Sequence, residues 1–106
     1  MAFEVYEVSL ELIVALRGPL EVLRRHNPSL TKQAWRAAES VPLNIREGNR
    51  RRGADRKYHF SVAAGSADEL LGALDVACAR AQLGTSEVAT ARRLVDRLQA
   101  MLHRLK

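Results

Sequence analysis

The sequence predicts an all-α protein, an up-down-up-down antiparallel bundle of four helices. Apolar residues recur at steps of three and four along most of the 106 residues, and no segment alternates with a period of two. Hydrophobic residues make up 47% of the chain but aromatic residues only 5%, so the core must consist of the small and branched aliphatic side chains that suit closely packed helices. The connections between the periodic segments are short, which favours antiparallel neighbours.

The first two helices are divided by a helix-start signal. The first runs from about Phe3 to His26, and Gly18-Pro19 predicts a kink or a break inside it. Asn27 can cap the second helix, and Pro28 suits the first helical position because no N–H donor is needed there. The apolar side of this second helix consists of Leu30, Ala34, Ala37, Val41, Ile45 and Gly48.

The third helix has two apolar sides. Its main seam is predicted to be Phe60, Ala64, Ala67, Leu71, Leu74, Cys78 and Ala81. A second side consists of Val62, Ala63, Leu70, Ala73, Val76 and Ala77. A helix that is apolar around most of its circumference is buried on more than one side, either at the centre of the bundle or in a subunit interface. The second possibility predicts a homo-oligomer.

Gly84 is expected to end the third helix, and Thr85 or Ser86 with Glu87 to open the fourth. The apolar side of the fourth helix is predicted to be Val88, Ala91, Val95, Leu98, Leu102 and Leu105. Together the four helices form one predicted domain over residues 1–106.

Several classes of protein do not fit the composition. The N-terminal region has no early Lys or Arg of the kind found in a secretory signal, and no uncharged apolar run approaches the length of a membrane span. The single cysteine, Cys78, cannot form an internal disulfide and lies in an apolar run, where we expect it to be inert. These features predict a cytoplasmic protein without membrane association.

The positive charge is concentrated in one segment. Residues 46–57 contain six basic side chains against Glu47 and Asp55, so they hold a net charge of +4 out of the +5 of the whole chain. The candidate nucleic-acid-binding residues are Arg46, Arg50, Arg51, Arg52, Arg56 and Lys57. Clustered arginines bind phosphates, so RNA or DNA is the predicted partner. The alternative is a solvated charged loop that only keeps the protein soluble.

Poor helix formers stand directly before this charge, in the stretch "SVPLNIREGNRRRG" from Ser40 to Gly53. Pro42 removes the hydrogen bond to the carbonyl of Ala38, which costs about 3 kcal/mol unless it is compensated. Ser40 and Asn44 can bond locally to nearby backbone groups. Gly48 has no side chain, so another helix or a nucleic-acid backbone can approach it closely. The simplest interpretation is a kinked helix that ends at Gly48 or Gly53.

At these residues the chain resembles the four-helix-bundle proteins of the 23S ribosomal RNA intervening-sequence family. "LTKQAWRAAESVPLNIREG" and "VAAGSADELLGAL" match the two motifs of that family in order and spacing, over roughly residues 28–83. The motif residues to which the resemblance assigns a structural role are Arg36, Ser40, Pro42, Asn44, Glu47, Gly48, Gly65 and Ser66. The chain departs from the motif at Arg46, where the family has a small residue, and in the segment "DRKYHF".

The resemblance also implies an assembly and partners. The family includes Avd-like proteins, the accessory variability determinants of diversity-generating retroelements, which form homopentameric rings. Avd has a basic surface and works with a reverse transcriptase and template RNA. The resemblance thus implies a homopentamer, RNA or DNA as a ligand, and a reverse transcriptase or other protein as a partner.

No catalytic or metal-binding pattern stands out. His26, His59 and His103 lack ligand neighbours at helical spacing, and no cofactor motif is present. Arg52 and His59 match the R-x(4–6)-H spacing of the helical HEPN ribonucleases, which chance easily produces among so many arginines. Trp35 and Tyr58 could stack on a base, although the apolar neighbours of Trp35 predict a core position.

Three hypotheses follow. The favoured one is a non-enzymatic, ring-forming accessory protein that binds nucleic acid. The second is an oligomeric scaffold that binds protein and uses its arginines for solubility. The third, less favoured, is a HEPN-like ribonuclease.

Overall fold

The chain forms four α-helices over residues 2–105, the part described by a computed structural model. They are α1 (Ala2–His26), α2 (Pro28–Asn49), α3 (Gly53–Ala79) and α4 (Ala89–Leu105). No strand occurs within these residues. α2 packs between α1 and α3, and α4 packs against α3 and α1. The predicted four-helix bundle is confirmed. None of the described helices combines the length and the hydropathy needed to cross a membrane.

The helices alternate in direction. The α1–α2 and α3–α4 connections meet at one end of the bundle, where Asn27 Nδ2 donates a hydrogen bond of 3.0 Å to Gln82 Oε1. At the other end, Arg46 near the end of α2 lies over the ring of Tyr6 near the start of α1, with 5.6 Å from Cζ to the ring centroid. The α2–α3 connection therefore lies beside the beginning of α1.

α1 is continuous through Pro19, so the helix does not break at this proline. The buried apolar residues of α1 form one stripe that continues on both sides of the proline: Val5, Val8, Leu12, Leu16, Leu20 and Leu23. Burying one Leu side chain contributes about 1.5–3 kcal/mol, whereas a proline inside a helix costs about 3 kcal/mol. The stripe therefore holds the helix together across Pro19.

α2 begins as the sequence predicts. The Leu30 N–H donates to Asn27 Oδ1 at 3.1 Å, and Pro28 occupies the first turn. The helix also continues through Pro42, which is buried. The side chain of Asn44 bonds locally, as expected, with Nδ2 donating to the carbonyl of Ser40 at 2.9 Å.

The buried side of α3 differs from the predicted seam. It consists of Phe60, Ala63, Ser66, Ala67, Leu70, Ala73, Leu74 and Ala77. Ala64, Leu71 and Cys78 are only partly buried, and Ala81 is exposed. The reason is that α3 packs more extensively on α2 than on α4, which turns its buried stripe toward α2. Residues from both predicted apolar sides therefore share one core.

α3 ends at Ala79, well before the predicted stop at Gly84. Ala81 has a φ of 60°, in the left-handed region that normally favours glycine. The Gln82 N–H donates to the carbonyl of Ala77 at 2.8 Å, and the Ala81 N–H donates to the carbonyl of Cys78 at 3.0 Å. These two bonds form a Schellman motif, which satisfies the last carbonyls of the helix.

α4 starts later than predicted. Residues 85–88 form turns, and the helix itself begins at Ala89. The Gly84 N–H donates to Glu87 Oε1 at 2.7 Å, so this pair shapes the connection. The predicted apolar side of α4 is confirmed, since every member is buried except Leu105, which is partly buried.

Polar contacts hold α4 against α3. Arg92 Nη2 lies 2.8 Å from Asp75 Oδ1, and this hydrogen bond raises the pKa of the guanidinium. Gln99 Nε2 donates to the carbonyl of Ala64 at 2.9 Å.

Ala81→Gly should stabilise the protein by about 0.5–1 kcal/mol. Glycine relieves the left-handed strain of an L-residue, about 1–2 kcal/mol, and loses part of that gain to greater freedom in the unfolded chain. Urea denaturation followed by circular dichroism measures the change. The matched control is Ala100→Gly, exposed inside α4, which should destabilise by about 1 kcal/mol. Equal losses in both variants would contradict the assignment of strain to Ala81.

Candidate nucleic-acid interface

The arginine-rich segment is a short, tight link between α2 and α3. α2 ends at Asn49, and the N–H groups of Arg50 and Arg51 donate to the carbonyls of Glu47 and Gly48, each at 3.1 Å. Gly53 opens α3 with a φ of +59°, a conformation that glycine adopts without steric cost. We call Arg46, Arg50, Arg51, Arg52, Arg56 and Lys57 the arginine cluster, and the structure brings all six to this end of the bundle.

Gly48 allows α2 and α3 to approach closely, as the sequence predicts. A Cβ atom at this position would lie 2.6 Å from Cε1 and 2.8 Å from Cδ1 of Phe60. It would also lie 3.3 Å from Cβ of His59. Phe60 is fully buried, so its ring has little room to move away. The ring of Phe60 therefore fills the space that the missing side chain leaves.

A chain of polar contacts joins the two motif segments, one on α2 and the other on α3. Ser40 Oγ lies 2.7 Å from Ser66 Oγ, and Asn44 Nδ2 donates to Ser40 Oγ at 3.1 Å. Asn44 Oδ1 lies 3.1 Å from His59 Nδ1. Because an amide oxygen only accepts, this contact requires His59 Nδ1 to carry a hydrogen. The contacts thus fix the register between α2 and α3.

The remaining motif residues are at the surface. A Cβ atom at Gly65 would have no other residue's atom within 4 Å, so this position, unlike Gly48, is open. Arg36 is exposed on α2 and lines the groove between α2 and α3.

Arg51 is held by two carboxylates. Its Nε lies 2.8 Å from Glu47 Oε2, and its Nη1 lies 3.7 Å from Asp55 Oδ2. The hydrogen bond from Arg51 lowers the pKa of the Glu47 carboxyl. The pair is therefore intact at neutral pH and is lost as the pH falls through the lowered pKa of Glu47. The i,i+4 spacing of Glu47, Arg51 and Asp55 is the sequence signal for this arrangement.

Two other members of the cluster also contact the protein. Arg56 is partly buried, with Cζ 4.7 Å from the ring centroid of Phe60 and Nη1 3.4 Å from the carbonyl oxygen of Gly48. Arg46 stacks on Tyr6 as described above. Both residues therefore support the packing of the helix ends in addition to any role toward a ligand.

Arg50, Arg52 and Lys57 are exposed and form no ion pair within the described residues. Arg52 precedes α3 and makes no side-chain cap bond. Nearby, Tyr58 is 64% exposed and its ring meets that of His59 edge-on, with centroids 5.3 Å apart. The three cations and the ring of Tyr58 therefore form an exposed cationic surface with one aromatic side chain at the end of the bundle.

The residues considered for catalysis are not brought into one site. His59 is engaged by Asn44, and within residues 2–105 no hydrogen bond joins it to Arg52. His26 and His103 are exposed elsewhere on the bundle. In the described part of the chain, no group of three or more His, Cys, Asp or Glu side chains could hold a metal ion.

Similarity to known proteins extends over nearly the whole chain. A family model described as 23S rRNA-intervening sequence protein matches residues 1–104. The search of curated proteins found no match.

Gly48→Ala should destabilise the protein by about 1–3 kcal/mol through overpacking, and Gly48→Leu should cost more. Thermal and urea unfolding measure both effects. Phe60→Leu supplies the control, because it removes the ring atoms that the new methyl group would meet. The two changes should therefore be less costly together than the sum of the single changes. Strict additivity, or a Gly48→Leu variant as stable as wild type, would show that the position is open.

Proposed function

The chain belongs to the 23S rRNA-intervening sequence protein family, and we propose that it is a non-enzymatic, oligomeric accessory protein that binds RNA or DNA. In this proposal the arginine cluster at the α2–α3 link is the binding site. The protein acts in the cytoplasm, where the single Cys78 needs no disulfide partner. A reverse transcriptase or another protein partner is part of the proposal only through the family resemblance.

The placement of the cluster at the start of α3 carries the proposal. The N-terminus of a helix has a partial positive charge, so acidic residues stabilise it and basic residues do not. Here Arg52, Arg56 and Lys57 occupy that end, with Asp55 as the one acidic residue of the first turn. Such an arrangement costs stability in the free protein and creates a strong attraction for an anion. Solubility alone would not require the charges at this position.

The site is suited to phosphates and not to base edges. Arg50, Arg52 and Lys57 are exposed cations without a fixed geometry, and such side chains neutralise phosphates by releasing counterions. Arg51 adds its free guanidinium edge, since its side chain is 48% exposed despite the two carboxylates. Binding by this surface would be non-specific and would depend steeply on salt.

The outer face of α3 supports the proposed homo-oligomer. Val76 is 47% exposed on this face, and Gly65 and Gly72 have open space around them. Between α2 and α3 lies a groove of about 840 Å³ whose lining includes Val62 and Val76. A second copy of the chain would cover these apolar side chains. In the pentameric ring that the resemblance implies, five arginine clusters would bind one polyanion with avidity.

Val76→Asp should dissociate the oligomer, because it places an unpaired charge in the apolar face. Light scattering should give a multiple of the 11.8 kDa chain for wild type and a lower mass for the variant. Val14→Asp, a matched change of an exposed valine on α1, should leave the mass unchanged. A monomer mass for wild type at micromolar concentration would contradict the proposed assembly.

Arg50→Ser/Arg52→Ser should weaken binding to every nucleic acid alike and flatten its salt dependence. The slope of log K against log salt should fall by about 0.7 for each single-strand phosphate that the variant no longer neutralises, in titrations between about 50 and 200 mM salt. The melting temperature should not fall and should rise slightly, because Arg52 is the N-cap residue of α3, where serine can cap the helix and a positive charge is unfavourable. Arg93→Ser/Arg97→Ser removes equal charge from α4 as a control and should leave the slope intact. Wild type that binds neither RNA nor DNA at the lowest salt would favour the protein-binding scaffold instead.

A further inference from the structure

A second groove lies on the outer side of α2, next to α1. It has a volume of about 780 Å³. Its lining comes mainly from α2, including Lys32, Trp35, Arg36, Glu39 and Leu43, with Arg24 from α1. The groove adjoins the one between α2 and α3, with which it shares Arg36 and Ser40, but its lining includes no residue of α3.

Trp35 is the central feature of this groove. It is the single tryptophan of the chain, and its neighbours in sequence predict a core position. That prediction is only half correct, because Trp35 is partly buried and packs against the core while also lining the groove. Leu43, which also lines the groove, is 68% exposed. The groove therefore offers a large aromatic surface, anchored by the core, beside an open apolar side chain.

The charges around Trp35 fit an anionic ligand. Lys32 and Arg36 flank it on α2, and Arg24 of α1 lines the same groove, although Glu21 at 2.7 Å offsets its charge. Glu39 is the one acidic residue among the lining side chains. An aromatic platform between cations is the arrangement that binds nucleobases of single strands, with stacking for the base and Lys or Arg for the phosphates.

The groove is continuous with the arginine cluster. Asn44 lines its end and precedes Arg46 by only two residues on the same helix. The helix rises about 16 Å between Trp35 and Arg46. A stacked strand advances about 3.4 Å per nucleotide, so about five nucleotides would cover this distance. One strand can thus contact both surfaces.

We propose that the α2 groove binds an unpaired base of a single-stranded nucleic acid against Trp35, with neighbouring phosphates on Lys32 and Arg36. This inference rests on the proposed function and deepens it, because it names the single strand as the preferred ligand. In a duplex the faces of the bases are covered by their stacked neighbours and cannot reach the indole. The arginine cluster alone would bind the duplex at least as tightly as a single strand, because the duplex has the higher charge density.

The single tryptophan makes the proposal directly measurable. Wild-type protein is titrated with labelled single-stranded RNA, single-stranded DNA and duplex DNA of about 12 nucleotides, a length within the usual range of single-strand sites. Fluorescence anisotropy reports total binding, and the emission of Trp35 reports contact in the groove. We expect both single strands to bind and to quench Trp35, and the duplex to bind more weakly without quenching. The comparison of RNA with DNA shows whether the sugar contributes.

Variants separate the groove from the cluster. Trp35→Leu should weaken single-strand binding about tenfold and leave duplex binding unchanged, whereas Trp35→Phe should retain most of the affinity. Because Trp35 also packs on the core, Lys32→Ser/Arg36→Ser provides a test that leaves the indole in place. Changing this exposed pair should reduce both the affinity for single strands and the quenching. The mass from light scattering should stay that of wild type, which checks that the change at Arg36, a residue of both grooves, does not act through assembly.

The outcomes distinguish the two proposals. Absence of anisotropy change with every nucleic acid would overturn the proposed function itself. Binding that is equal for single strands and duplex, without a change in Trp35 emission, would overturn the role of the groove and leave the arginine cluster as the site.

Discussion

The close approach of α2 and α3 at Gly48 is the constraint on which the rest of the structure depends. The ring of Phe60 occupies the place of the absent side chain, so the end of α2 and the start of α3 lie against each other. Only a short link is then needed between them, and that link contains the densest positive charge of the chain. A packing requirement at one glycine thereby determines where the arginines project.

The same contact makes the arginines unequal. Arg56 lies over Phe60, and Arg51 is held between Glu47 and Asp55, so both are fixed by the packed helix ends. Arg50 and Arg52 stand outside these contacts and are exposed. Arg51 and Arg56 hold the end of α2 against the start of α3. Arg50 and Arg52 make no such contacts, so they can exchange their solvent counterions for phosphates. In the proposed function, the structural and the binding roles are thus divided between adjacent residues of one segment.

Small side chains explain how one bundle can have both a tight core and open outer surfaces. Alanines dominate the buried stripe of α3, which lets it lie close to α2. The outer side of α3 also has small residues, and Gly65 and Gly72 leave open space there. On α2, by contrast, the large ring of Trp35 cannot fit fully into such a shallow core and is left partly exposed in the groove. Both candidate interaction surfaces therefore arise from the same close helix packing.

Features that depend on neighbours along the chain could be predicted from the residues alone. Helical periodicity, the Asn27-Pro28 start of α2 and the need for a glycine at position 48 are of this kind, because each is a local property of a helix or its end. The buried side of α3 could not be predicted, since its two apolar sides are alike in composition and only packing on α2 selects between them. Nor could the end of α3, where Ala81 adopts a conformation that glycine normally favours. The stacking of Arg56 on Phe60 and the exposure of Trp35 were likewise decided by tertiary packing, because they depend on which helices meet and how closely.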